Sequence, residues 1–180
     1  PLRLVGWSFG AAVAAEMALL AAGRGTDVRA LTLLDPPPLA PGERADPAVP
    51  AGLLAAVLPG WSTERVRTEL DRLPAGPARD RAQDLLSAYP SGADDPVLLD
   101  RVTALLHNQA ALENWVPRGG LAHVTIVLSA ATAARWTDLA GWQRLAESVD
   151  VRTVPGDHTS MLRDAGAERV ASMLDQEDLA

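Results

Sequence analysis

The sequence has no cysteine and no lysine: all 16 basic side chains among its 180 residues are Arg. Without cysteine there are no disulfides and no thiolate metal sites, and the redox compartment leaves no trace in the composition. The absence of lysine reads first as coding bias. A basic excess is also missing. With 23 acidic residues the formal charge is -7 and the sequence pI about 4.9, which argues against a nucleic-acid binder. No apolar run approaches the roughly 18 residues that a bilayer span requires. No phosphate loop, dinucleotide fingerprint or internal repeat is present. What remains is ordinary globular composition, 48% apolar and 22% charged with mean hydropathy +0.04, in a length that suits one domain. Disorder, collagen and coiled coil are poor descriptions of it. The chain opens on Pro1, not Met, and runs at once into an apolar strand with no targeting peptide, so it reads as a piece of a longer polypeptide.

Residues 2–5 read as a short buried strand. Gly6-Trp7-Ser8-Phe9-Gly10 follows, then an Ala- and Leu-rich helix over 11–22 with Gly23 as its stop. Residues 28–34 are a second strand, ended by Asp35 and the prolines 36–38, which cannot continue a ladder. Strand, turn, helix, strand is a βαβ unit and favours a parallel sheet. From 36 to about 118 the pattern is helical, with helices expected over 50–58, 63–73, 78–88 and 96–115, the last with Asp95 as N-cap and Pro96 at the first position. This stretch reads as an insertion between two sheet strands. The sheet resumes at 123–129. A helix is expected over 139–148, a strand over 149–154, a loop at 155–158 and a closing helix over 164–174.

Gly6-Trp7-Ser8-Phe9-Gly10 matches G-x-S-x-G between a strand and a helix, the setting of a nucleophile elbow. So sharp a turn strains the Ser backbone and calls for glycine on either side. The following helix aims N–H groups and its positive end at the site, and the Phe9 N–H is placed to donate to a developing oxyanion. A Ser hydroxyl needs a base. Of the three histidines, His107 falls inside a predicted helix and His123 at the start of a strand, both as packing or surface residues. His158 lies in a loop after a strand, where α/β enzymes hold their sites, and is the expected base. The carboxylate that orients it is expected to be Asp35, directly after the strand that follows the elbow helix. Asp138 is the competing candidate, and Asp157 is too near His158 in the chain to support its ring. Ser, Asp, His is the α/β-hydrolase order. Trp61, Trp115, Trp136 and Trp142 read as helix packing ahead of the alternative, the lining of a channel for an apolar substrate, and Met161 and Leu162 read as packing under the His158 loop. Asp94, Asp95 and Asp100 lack metal-site spacing.

The blocks GWSFGAAVAAEMALL, ALTLLDPPP and VPGDHTSML resemble the C-terminal thioesterase domain of nonribosomal peptide synthetases and polyketide synthases, with Trp before the nucleophile and Asp ending the next strand. The resemblance implies an α/β-hydrolase-type, mostly parallel sheet over residues 1–180, with the helical stretch 36–118 as a lid. It implies that Ser8 takes an acyl chain from the phosphopantetheine thiol of an acyl or peptidyl carrier domain. His158 then serves as base, Asp35 as its support and the Phe9 N–H as one oxyanion donor. Release is by water or by ring closure. It implies no cofactor and no metal, no nucleic-acid or membrane partner, and a cytoplasmic setting. Stand-alone editing thioesterases tend to place the acid later, nearer the His, so Asp35 also favours the integrated release domain. In the α/β-hydrolase pattern several strands precede the elbow and supply a second oxyanion donor. Here only about seven residues precede Ser8, so the expectation is an N-terminally truncated domain, the elbow strand at a sheet edge, and weak activity in isolation. Two other readings stay open: an esterase acting on small free esters, and a non-catalytic remnant that only contacts a carrier domain.

Overall fold

A computed structural model of the chain describes residues 1–37, 48–89, 95–135 and 139–177. The chain divides into two compact units, Pro1–Gly42 with Val116–Ala180, and Glu43–Trp115.

The first unit is a parallel sheet with its helices. Its elements are β1 (Leu2–Trp7), α1 (Phe9–Gly23), β2 (Val28–Leu34), β3 (Leu121–Ser129), α6 (Ala130–Ala133), α7 (Ala140–Gln143), β4 (Ala146–Val154) and α8 (Asp164–Glu177), with a 3-10 turn at Ser160–Leu162. The strands lie in the order β1-β2-β3-β4, every pair parallel. Register aligns Trp7 with Leu34, Leu34 with Val127 and Val127 with Arg152. The residues just past β1, β2 and β4 therefore emerge at one edge of the sheet, the carboxyl edge at which α/β folds place their ligands.

Local chemistry explains the boundaries. The buried face of α1 is all alanine (Ala11, Ala12, Ala14, Ala15 and Ala18), small enough for the helix to lie close to the strands. Gly23 is the helix's last residue, not its stop. The stop is Gly25, which takes φ 78 with its N–H on the Ala22 carbonyl while Thr26 N–H reaches the Ala21 carbonyl, the Schellman arrangement. The helix expected over 139–148 is four residues long. Leu145 is buried and its carbonyl accepts the Leu121 N–H, which draws the chain into the ladder, and β4 begins at Ala146. Leu34, Val127, Val154, Met161 and Val170 form a cluster under the carboxyl edge. Met161 packs there as expected, whereas Leu162 is exposed.

The second unit holds α2 (Ala48–Val57), α3 (Thr63–Arg72), α4 (Ala78–Ser87) and α5 (Pro96–Asn114). Asp95 Oδ1 accepts from Val97 N and Leu98 N and caps α5, with Pro96 in its first turn; Ser62 caps α3. The unit has its own core, built from Leu54, Leu58, Val66, Leu85, Leu86 and Val102. Trp61 belongs to it, edge-on to Tyr89 at 5.4 Å between ring centroids.

Candidate active site

Ser8 lies between β1 and α1 with φ 56 and ψ -128, a backbone conformation that L-residues avoid. Gly6 makes the turn possible. A Cβ there would fall 2.6 Å from Ala11 Cα and against the Gly10 carbonyl, both backbone. Gly10 differs from expectation, because a Cβ at that position meets nothing within 4 Å. Ser is a common helix cap, yet the Ser8 side chain makes no capping bond to α1. Its Oγ instead lies 3.0 Å from His158 Nε2. Phe9 is the first residue of α1, so its N–H belongs to the group of helix-start donors that have no partner within the helix.

Asp35 directly follows β2. It takes φ 43, a left-handed conformation that Asp tolerates better than most residues, and its N–H donates to the Val127 carbonyl at 2.8 Å. This bend carries the carboxylate under the neighbouring strand, where it is 2% exposed. Oδ1 accepts from Ser129 N at 2.8 Å. Oδ2 accepts from Ser129 Oγ at 2.9 Å, from Thr132 Oγ1 at 2.8 Å and from His158 Nδ1 at 3.0 Å. Burial pushes the Asp35 carboxyl up. The hydrogen bonds from His158, the Ser129 N–H, and the Thr132 and Ser129 hydroxyls together outweigh it and hold the group below the usual carboxylate range.

A carboxylate only accepts, so the His158 proton sits on Nδ1 and the Nε2 lone pair faces the Ser8 hydroxyl. The loop that carries His158 is organised by Asp157. One oxygen of that carboxylate accepts from the N–H and hydroxyl of both Thr159 and Ser160, which holds its pKa far below the usual range. Asp157 therefore braces the loop, while the imidazole bonds to Asp35 and Ser8.

Of the residues singled out from sequence, Ser8, Asp35 and His158 come together. Asp138 and Trp136 lie outside the described residues. His107 is an exposed residue of α5. His123 bonds Ser148 Oγ at 2.9 Å near the start of β3, about 20 Å from Ser129 at strand spacing. Trp142 is buried, with its indole N–H on the Pro37 carbonyl. Sequence reasoning missed two participants, Ser129 and Thr132, which hold the Asp35 carboxylate, and gave no role to Trp7, whose indole stacks on His158. A Ser and a Thr where a predicted strand ends were the only signal for the first two.

A family model described as a thioesterase domain matches residues 1–177. Among proteins of curated function none matches the chain significantly. Several solved structures are similar. One is the holo form of AB3403, a four-domain nonribosomal peptide synthetase bound to AMP and glycine, with 24% identity over 98% of this chain and 14% of that one, TM-score 0.64. Another is the NocB thioesterase domain in covalent complex with a fluorophosphonate nocardicin G analog, with 22% identity over 98% of this chain and 66% of that one, TM-score 0.58. A third is the SrfTE thioesterase domain, described for cyclization of the lipopeptide antibiotic surfactin, with 17% identity over 98% of this chain and 66% of that one, TM-score 0.56. The parallel sheet with its helices is thus the α/β-hydrolase fold of thioesterases. The chain spans just under two thirds of each of the two thioesterase domains.

Proposed function

Because the chain belongs to the thioesterase domain family, we propose that it takes an acyl chain from a thioester onto Ser8 and then releases it. The observation that carries this reading is the unbroken hydrogen-bonded series from the Asp35 carboxylate through His158 to the Ser8 hydroxyl, 3.0 Å at each step. In the first half-reaction Ser8 Oγ attacks the thioester carbonyl and His158 Nε2 takes the hydroxyl proton. Negative charge gathers on the carbonyl oxygen, toward which the Phe9 N–H at the start of α1 is directed. Collapse of the adduct breaks the C–S bond, and His158 returns the proton to the departing thiolate, which leaves an ester on Ser8. In the second half-reaction water, or a hydroxyl or amine of the acyl chain itself, gives its proton to His158 and attacks the ester. Ser8 Oγ recovers the proton as it leaves. Asp35 stays a carboxylate throughout and stabilises the imidazolium. Each proton has a holder, so the reading calls for no metal and no cofactor.

The similarity to a four-domain nonribosomal peptide synthetase supports a carrier domain's phosphopantetheine as the source of the thioester. The test uses a fluorophosphonate probe together with an acyl thioester of N-acetylcysteamine. A single adduct on Ser8, absent in Ser8→Ala, with thiol release lost in the same variant, is the expected result. A folded chain that neither takes the probe nor releases thiol would refute the reading. Transfer from an acylated carrier protein in preference to a free ester of the same acid is expected. The opposite preference would favour the small-ester esterase.

A further inference from the structure

The indole of Trp7 lies on the imidazole of His158, with ring centroids 4.8 Å apart and planes inclined by 24°. The same indole donates its N–H to the His158 carbonyl at 3.2 Å. One side chain therefore grips both the ring and the main chain of a residue 151 positions away, and it is the neighbour in sequence of Ser8. Trp7 is the last residue of β1, held in register with Leu34, so the grip comes from a sheet strand, and the gripped residue sits in a loop.

The hydrogen bond from Nδ1 to Asp35 sets where the imidazole points but does little to stop the ring swinging about that bond. The His158 side chain is 31% exposed, so water is open to it as an alternative. A flat surface against the ring face removes that freedom. We propose that Trp7 is a positioning residue for His158, holding the imidazole in the plane that joins Ser8 to Asp35. The proposal rests on the reading of His158 as the base. It adds a second effect: once the ring has taken the Ser8 proton, the cation lies on the face of an indole, whose quadrupole attracts it. Trp7 is itself 38% exposed, which makes it replaceable without opening a core cavity.

The experiment combines a resonance that reports the contact with a rate that reports its consequence. With three histidines in the chain, the His158 ring protons are assigned by comparison with His158→Gln. They are expected upfield of those of His107 and His123, through the indole ring current, and to lose that displacement in Trp7→Leu. In the same variant the first-order rate of Ser8 modification by a fluorophosphonate falls by roughly 10- to 100-fold, the scale on which small misplacements of a reacting group act. The probe's reversible inhibition constant stays the same. Trp7→Phe retains a ring without the N–H, and keeps the upfield displacement and most of the rate. A His158 resonance without displacement in the native chain overturns the proposal, and so does a Trp7→Leu rate equal to the native one beside a slow His158→Gln. If His158→Gln itself reacts at the native rate, the reading of His158 as base fails and takes the role of Trp7 with it.

Discussion

Asp35 shows how much a single residue must arrange before a carboxylate can serve an imidazole. Its φ of 43 turns the side chain beneath β3, and the donors waiting there are the N–H and hydroxyl of Ser129 and the hydroxyl of Thr132. Asp35→Asn replaces one acceptor oxygen with a donor and favours the wrong tautomer of His158. Acylation of Ser8 is expected to fall by about 10⁴-fold with the fold intact, as when such carboxylates are changed to amides elsewhere. A native rate in a probe assay would remove Asp35 from the mechanism. The same residue makes a prediction about pH. Its folded-state pKa lies below the ordinary 3.8, so the unfolded chain binds this proton more readily. The stability it contributes is whole above about pH 3.8 and is lost as pH falls through the lower, folded value. Ser129→Ala removes one hydroxyl donor and weakens that contribution, by about 1.5–3 kcal/mol at pH 6, and by less once the carboxyl is protonated in both proteins. Urea unfolding of the two proteins from pH 6 downward through the acid limb checks this; a difference that stays constant as pH falls contradicts it. Asp35 and His158 were legible in the sequence because strand ends in a βαβ pattern predict where they emerge. Ser129 and Thr132 were not, because their contacts depend on the β2–β3 register and on a left-handed bend that no local pattern announces, and the stacking of Trp7 was not, because it joins the end of β1 to a loop 151 residues away.

At the scale of elements, the elbow separates two glycines that look equivalent in G-x-S-x-G. A methyl at Gly6 would collide with the backbone of Gly10 and Ala11, so Gly6→Ala must push α1 away from β1. Loss of fluorophosphonate labelling and a lowered Tm are expected. A methyl at Gly10 has open space around it and stands in the first turn of a helix. Gly10→Ala is therefore expected to keep labelling and to gain up to about 1 kcal/mol from helix propensity. Thermal unfolding of the pair, measured with the probe assay, decides it. Equal damage from both substitutions would show that the turn needs glycine twice. The misread boundaries have the same origin as this asymmetry. The stop at Gly25 in place of Gly23, and the entry of Ala146–Ser148 into β4, are set by main-chain bonds to Ala21, Ala22 and the β3 residues Leu121 and His123. The apolar periodicity that locates an element carries no information about which of its ends a distant carbonyl will claim.

For the molecule as a whole, the sheet order places β1 at an edge, as the sequence predicts, with β2 its partner among the described residues. Two separate apolar surfaces are exposed on β1 and α1. Val5 is 50% exposed, and on α1 Val13, Met17 and Leu20 are 45%, 51% and 49% exposed, at a helical spacing that puts them on one stripe. The opposite stripe of α1 is the alanine face on the sheet, so this helix is apolar on both sides. A helix of that kind is ordinarily covered on both. A strand edge with no second pairing strand among the described residues, and an exposed apolar stripe on the helix that follows it, are each a template for another chain. The 180-residue polypeptide is accordingly expected to self-associate, its weight-average mass in sedimentation equilibrium rising with concentration. Val5→Arg and Met17→Glu place a charge on each of the two surfaces. Together they should return the mass toward the monomer value of 18.9 kDa without altering Ser8 labelling, because neither residue touches Ser8, Asp35 or His158. A native chain that stays monomeric as concentration rises would show that this edge, apolar as it is, does not pair. Association that survives both substitutions would move the contact away from β1 and α1.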